Sequence, residues 1–155
     1  MENNLSTIKT VNHPLEPLTA EEIKIAVAII KKEKSLDSFT KFVCVTLKEP
    51  EKQTVLNFKQ GDPIERKAFM ILLNNKTEMT YEAEVNISEG TVTRWEHIPG
   101  VQPGIIPEEM EECEQVVKNN PVFQEALLKR GITNPDLVMV DPWSAGNFGI
   151  KEDEG

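Results

Sequence analysis

The sequence is poor in histidine, cysteine and tyrosine. Its 155 residues include two histidines, two cysteines and one tyrosine. Cys44 and Cys113 match no metal-binding or redox spacing, so we expect two plain buried thiols, with a disulfide or a reactive site as the alternative. Gly-rich phosphate loops and the Gly-x-Ser-x-Gly motif are missing as well. The sequence therefore gives no sign of a nucleotide-binding enzyme or a serine hydrolase.

Positive charge and long apolar runs are also scarce. Lysine and arginine total 17 against 26 acidic residues, and the formal net charge is −9. Nucleic acids and anionic membrane surfaces both select basic proteins, so neither is an expected partner. No stretch approaches the roughly 20 apolar residues of a membrane span. Residues 1–10 lack the basic and apolar segments of a signal peptide, and we therefore expect a cytoplasmic protein.

A helix is predicted for residues 20–34. The preceding residues, 1–18, contain Pro14 and Pro17, which oppose helix formation, so we expect an extended arm there. Thr19-Ala20-Glu21-Glu22 is a capping box, in which the Thr hydroxyl and a Glu carboxylate each accept a hydrogen bond from a free backbone N–H. Apolar residues then follow at helical spacing, at Ile23, Ala26, Val27 and Ile30.

Beyond this helix the pattern changes to period two, which predicts strands. Tyr81, Ala83 and Val85 alternate with polar residues, so we expect one dry and one wet face there. One helix followed by a strand meander indicates an α+β fold, with the helix packed across one face of an antiparallel sheet. The predicted strands cover residues 43–47, 54–58, 67–73, 81–87 and 91–98.

The organisation changes at residues 99–104, whose prolines and glycines indicate a linker. A second helix is predicted from about Pro107, and a third from Asn120-Pro121 to a stop at Gly131. Residues 137–140 are predicted to form a short strand, which has no partner in this half of the sequence. We therefore expect an arm (1–18), a first domain (19–98), a linker (99–104) and an incomplete second domain (105–155).

Three motifs resemble the N-terminal region of copper amine oxidases. They are His13-Pro14-Leu15-Glu16-Pro17-Leu18-Thr19-Ala20-Glu21-Glu22-Ile23, Gly100-Val101-Gln102-Pro103-Gly104 and Asp141-Pro142-Trp143-Ser144-Ala145-Gly146. The resemblance implies a cystatin-like helix on an antiparallel sheet, followed by the helical start of a second similar domain. It also implies a parent enzyme that oxidises primary amines to aldehyde, ammonia and hydrogen peroxide. Its expected partners are a missing C-terminal catalytic domain and a second subunit of a homodimer.

The cofactors that the resemblance implies are copper and topaquinone. The family binds copper through three histidines and makes the quinone from the tyrosine of an Asn-Tyr-Asp/Glu motif. This sequence has only His13 and His97, and its tyrosine stands in Thr80-Tyr81-Glu82. We therefore expect no catalytic, cofactor-binding or metal-binding residue in this chain, which should be inactive alone.

In the family, the second of these small domains lines the channel by which amines reach the quinone. The matching positions here are Met110, Pro142 and Trp143. A flexible thioether and an aromatic ring suit the apolar tail of an amine. The alternative is that all three side chains pack in a local core.

A second class of function is a free-standing cystatin-like module that binds proteins and has no enzymatic activity. Protease inhibitors of the cystatin family insert a Gln-x-Val-x-Gly hairpin into the protease cleft. Residues 53–57 are similar, but Asn57 replaces the final glycine, and the segment is predicted to be a strand within the sheet.

Overall fold

The computed structural model describes residues 11–143 and 149. The chain divides into two compact units, residues 1–103 and residues 104–155, which we call unit 1 and unit 2. Residues 1–10 of the expected arm, and the Ser144-Ala145-Gly146 part of the third motif, lie outside the described residues. Within those residues, no helix has the length and hydrophobicity needed to cross a membrane.

Unit 1 begins with a turn and a long helix. The His13 carbonyl accepts a hydrogen bond from the Glu16 N–H at 3.0 Å, so the described part of the arm is not extended throughout. Helix α1 spans Ala20–Glu33, as predicted. Its capping box is confirmed, because the Thr19 N–H donates to Glu22 Oε2 at 2.8 Å and the Glu22 N–H donates to Thr19 Oγ1 at 3.2 Å.

Four antiparallel strands form a meander in the order β1-β2-β3-β4. Their bounds are β1 Thr40–Leu47, β2 Lys67–Asn74, β3 Met79–Asn86 and β4 Thr91–Ile98. These confirm four of the five predicted strands and the helix-on-sheet α+β architecture. Helix α1 packs across one face of the sheet, and the side chains of that core that are closed to solvent are Ala26, Ile30, Ala68, Met70, Leu72, Ala83 and Val85.

The connection between β1 and β2 contains a short helix, α2, at Lys52–Asn57. The prediction of a strand over residues 54–58 is therefore wrong. The Glu51 carbonyl accepts hydrogen bonds from the N–H groups of Thr54 and Val55, which closes the first helical turn. All six residues of α2 are described and none is buried, so no burial in a sheet outweighs these local bonds.

Unit 2 contains the two predicted helices, α3 at Pro107–Asn119 and α4 at Pro121–Leu128. Proline is the first residue of each helix. Proline lacks a backbone N–H, and an N–H at this position has no acceptor within the helix, so nothing is lost. The Asn120 side chain caps α4 by accepting a hydrogen bond from the Val122 N–H at 2.9 Å. Gly131 follows with a φ of +78°, the left-handed conformation that a glycine stop provides.

The strand predicted over residues 137–140 is absent from the described part of unit 2. A 3-10 turn occupies Pro135–Leu137 instead. Asn134 stabilises this turn, because its side chain accepts from the Asp136 N–H at 3.0 Å and its carbonyl accepts from the Leu137 N–H at 3.2 Å. A short apolar run without a neighbouring strand gains nothing from an extended conformation, so the prediction is wrong.

Candidate functional site

The most deeply buried charged side chain in the described part of unit 1 is Arg66, which is 6% exposed. Its Nε donates to Glu22 Oε1 at 2.7 Å, and its Nη2 donates to Glu22 Oε2 at 3.2 Å. The same Nη2 also donates to the Pro17 carbonyl at 3.1 Å. This bidentate pair therefore ties the chain before α1, and α1 itself, to the start of β2.

Glu22 belongs to this pair and to the capping box of α1. The hydrogen bond from Arg66 lowers the pKa of Glu22; burial opposes this shift, and the bond from the Thr19 N–H adds to it. Glu22 is therefore ionised at neutral pH. An ionised carboxylate of lowered pKa is a weak base and has no proton to donate, so the pair has a structural rather than a catalytic role.

A shallow cavity of about 290 Å³ lies beside the carboxyl end of α1. Its wall includes Tyr81 and Trp95, whose rings stack with their centroids 4.5 Å apart. Lys34 Nζ lies 6.0 Å from the centroid of the Trp95 ring. The lining also includes Asn74 and Asp37, and Asn74 Nδ2 donates to Asp37 Oδ1 at 2.9 Å.

The carboxylate of this cavity is poorly suited to catalysis. Hydrogen bonds from Thr40 and Asn74 lower the pKa of Asp37, so that its carboxylate is ionised and weakly basic at neutral pH. The Tyr81 hydroxyl donates to Met79 Sδ at 3.2 Å. Neither Asp37 nor Tyr81 is therefore placed to act as a general acid or base.

The three predicted channel residues all lie in unit 2. Met110 is on α3, and Pro142 and Trp143 follow the 3-10 turn in an irregular segment. Met110 is 41% exposed and Trp143 is 82% exposed. The Trp143 Nε1–H donates to Asp141 Oδ2 at 2.8 Å. Trp143 therefore does not pack in a local core, and its ring faces solvent.

Both units match the same family of known proteins. Residues 13–98 match the family model described as copper amine oxidase, N2 domain. Residues 108–155 match the model described as copper amine oxidase, N3 domain. The first match covers more than half of the chain. The chain belongs to the copper amine oxidase family. The resemblance carried by the three sequence motifs is thereby confirmed.

Several copper amine oxidases are similar over most of this chain. The primary amine oxidase of Arthrobacter sp. (strain P1) is 38% identical over 146 residues, which cover 94% of this chain and 22% of that protein. N-methylputrescine oxidase 1, peroxisomal, of Nicotiana tabacum is 35% identical over 169 residues, which cover 86% of this chain and 21% of that protein. The chain thus spans about a fifth of the length of these curated relatives.

A solved copper amine oxidase has a similar fold. The copper-containing benzylamine oxidase from Hansenula polymorpha superposes with a TM-score of 0.64 at 21% identity, over 76% of this chain and 19% of that chain. At this identity the likeness concerns the fold alone. It confirms the predicted α+β architecture of a helix packed on an antiparallel sheet.

Copper amine oxidases contain copper, but the described residues of this chain do not fit a copper centre. They include no group of three or more His, Cys, Asp or Glu side chains that could hold a metal ion. The His13 ring packs edge-on against Phe58 with centroids 5.4 Å apart, whereas the His97 ring lies 5.6 Å from Tyr81. Each histidine thus has aromatic surroundings of its own.

Sequence reasoning missed the Glu22–Arg66 pair and the Tyr81–Trp95 stack. The capping box alone explains why Glu22 stands at this position. The sequence pattern therefore did not predict a second partner 44 positions away. The available signal was an arginine directly before an apolar strand, because a charge at such a position needs a partner. Both cysteines are free and half-buried rather than fully buried.

Proposed function

We propose that this chain is the non-catalytic N-terminal part of a primary-amine oxidase that depends on copper and topaquinone. The match of residues 13–98 to the N2 domain carries the proposal, and the 38% identity to a primary amine oxidase supports it. The parent reaction converts a primary amine, oxygen and water to an aldehyde, ammonia and hydrogen peroxide. Units 1 and 2 act in it as a scaffold, while copper and topaquinone supply the redox chemistry elsewhere.

The partner of the chain in this proposal is a C-terminal catalytic domain, and the complete enzyme is a homodimer. The chain covers 22% of the Arthrobacter primary amine oxidase, so most of that protein lies outside the matched segment.

Met110, Pro142 and Trp143 line the amine channel in this proposal. The exposure of Met110 and Trp143 supports it, because both side chains are available to face another domain. A thioether and an aromatic ring can contact the apolar tail of an amine without holding it in one fixed position.

A chimera tests the scaffold role. In it, this chain replaces the matching N-terminal segment of the Arthrobacter sp. (strain P1) primary amine oxidase. The chimera and the unmodified Arthrobacter protein should both form a phenylhydrazine adduct and oxidise a primary amine. The isolated chain, incubated with Cu²⁺ and oxygen, should form no adduct. A stoichiometric adduct on the isolated chain, or an inactive chimera beside an active parent, would overturn the proposal.

The channel role is tested in the same chimera by Trp143→Ala. We expect kcat/KM for benzylamine to fall about tenfold and that for methylamine to change little, because only the larger amine has an apolar tail to contact. Leu128→Ala, at a position 59% exposed on α4, is the control and should leave both values unchanged. Equal effects of Trp143→Ala on the two amines would contradict the channel role.

A further inference from the structure

The cavity beside the carboxyl end of α1 brings together groups that attract a cation. We call it the α1-end cavity and define it by Lys34, Ser35, Asp37, Asn74, Tyr81 and Trp95. All six residues belong to unit 1. The volume of about 290 Å³ corresponds to about ten non-hydrogen atoms, at the ~30 Å³ that a water molecule occupies in the liquid. The cavity therefore matches a small organic molecule in size.

Asp37 supplies a fixed negative charge to the α1-end cavity. Its Oδ1 accepts three hydrogen bonds, from Thr40 Oγ1 at 3.0 Å, Asn74 Nδ2 at 2.9 Å and the Phe39 N–H at 3.1 Å. The bond from Thr40 is the largest cause of the lowered pKa of Asp37, and the other two bonds add to it. All three of these bonds end on Oδ1, so they leave the acceptor positions of Oδ2 for a further donor.

The aromatic pair supplies a second attraction for a cation. The Tyr81 and Trp95 rings lie on neighbouring strands and stack at an interplanar angle of 19°. The face of an aromatic ring is partially negative, and tryptophan attracts cations more strongly than the other aromatic residues. Lys34 Nζ lies 6.0 Å from the centroid of the Trp95 ring. This is the outer limit of a cation–π contact, so a smaller, untethered cation can approach the ring more closely.

The end of α1 makes a third contribution. The last carbonyl groups of a helix carry the negative end of its dipole, which favours a cation nearby. The Leu36 N–H donates to the Lys31 carbonyl at 3.3 Å and closes this end of the helix. Ser35 lies between them with a φ of +48°, a left-handed conformation that turns the chain from the helix towards Asp37. A carboxylate, two aromatic rings and a helix end thus favour positive charge in one place.

We propose that the α1-end cavity binds a primary ammonium ion that carries an apolar group. The ammonium group donates to the Asp37 carboxylate, and the apolar group lies against the Trp95 and Tyr81 rings. Lys34 competes with this ligand, because its own ammonium group lies near the Trp95 ring. The net charge of −9 also favours a cationic ligand over an anionic one. This binding does not depend on the proposed function, because every residue that carries it lies in unit 1.

The fluorescence of Trp95 measures the binding in the isolated chain. The sequence has two tryptophans, so Trp143→Phe leaves Trp95 as the single indole. The probe is 2-phenylethylammonium chloride, added at a constant ionic strength. A shallow cavity binds weakly, so we expect a saturable change in fluorescence with a Kd of about 1 mM. The control is 2-phenylethanol, which has the same ring and no charge, and it should cause no saturable change.

Substitutions in this Trp143→Phe background assign the binding to the cavity. Asp37→Asn should raise the Kd at least about tenfold, because it removes the charge that strengthens the hydrogen bond. Lys34→Met should lower the Kd about threefold, because it removes the competing cation. Lys32→Met makes the same change of net charge at an exposed position in the last turn of α1, outside the cavity lining. It should leave the Kd unchanged at about 0.15 M salt, which screens distant charges.

Four results would overturn the ammonium site. They are no saturation up to about 20 mM probe, well above the expected Kd, equal binding of 2-phenylethanol, an unchanged Kd in a folded Asp37→Asn chain, and equal effects of Lys34→Met and Lys32→Met. The thermal midpoint of each variant shows whether it is folded. If Asp37→Asn does not fold, the comparison of Lys34→Met with Lys32→Met decides the question. Each of these failures leaves the proposed function as it stands, because that function is tested by the activity of the chimera.

Discussion

At the scale of single residues, Glu22 connects three parts of unit 1. Its carboxylate accepts hydrogen bonds from Arg66 and from the Thr19 N–H, and Arg66 in turn holds the Pro17 carbonyl. The Arg66 side chain is 8% exposed and the Glu22 side chain 15%. Removal of one charge from such a buried pair leaves the other charge buried without a partner. This lowers the stability of the fold more than the loss of a surface ion pair does.

Glu22→Gln should therefore lower the free energy of unfolding by about 3 kcal/mol, the low end for a broken buried pair, because the Gln oxygen still accepts one bond. Urea unfolding of the isolated chain measures this. Glu21→Gln is the matched control, since Glu21 is the neighbouring residue and its pair with Lys24 is exposed. It should change the free energy by less than about 0.5 kcal/mol. Equal effects of the two changes would show that Arg66 does not depend on Glu22.

Acid should reduce the contribution of the Glu22 carboxylate to the free energy of unfolding. Arg66 lowers the pKa of Glu22 in the folded chain, so the folded state holds the proton less tightly than the unfolded state does. The stabilisation is fully present above the ordinary pKa of a glutamate, and it is lost as pH falls through the lowered pKa. The stability difference between the wild type and Glu22→Gln should accordingly shrink between pH 6 and pH 3. A constant difference over this range would contradict the assignment.

At the scale of elements, the three helices and four of the five strands of the first domain were predictable, and the runs at 54–58 and 137–140 were not. Helix α1 combines a capping box with four apolar positions on one side, β3 alternates apolar and polar residues, and β2 is a continuous apolar run. The run at 54–58 is as long as the confirmed prediction at 43–47, so the conformation of the runs at 54–58 and 137–140 depends on neighbouring residues rather than on length. Residues 52–57 gain helical bonds from Glu51, and Asn134 starts a turn before Leu137. Patterning could not predict the Arg66 contact either, because it joins residues that are distant in sequence.

The conformation of α2 has a consequence for protease binding. A cystatin-type inhibitory hairpin needs an extended backbone, but residues 53–57 are helical, and Gln53 Nε2 donates to Asn57 Oδ1 at 3.1 Å across one turn. We therefore expect the chain to leave the hydrolysis of a fluorogenic peptide by papain unchanged at concentrations near 10 µM, about the range of weak contacts. An authentic cystatin is the positive control. Inhibition by this chain would favour the free-standing binding module.

At the scale of the whole chain, the two units differ in how much apolar surface they bury. The core of unit 1 includes seven side chains that are completely closed to solvent. In the described part of unit 2, Ile106 and Leu127 are the buried apolar residues, each 7% exposed. Leu137, Met139 and Trp143 are each at least 80% exposed. Since burial of apolar surface is the main favourable term in folding, most of the stability should reside in unit 1.

Truncation tests this division of stability. A chain of residues 1–103 should unfold cooperatively, with a thermal midpoint within about 4 °C of that of the full chain, a shift equivalent to less than about 1 kcal/mol. A chain of residues 104–155 should show no cooperative transition in circular dichroism, because two buried apolar side chains cannot offset the entropy of ordering the backbone. The full chain, melted under the same conditions, is the reference. A sharp transition in residues 104–155 would contradict this account, because it would mean that unit 2 closes a core of its own. A large loss of stability in residues 1–103 would mean that unit 1 depends on unit 2.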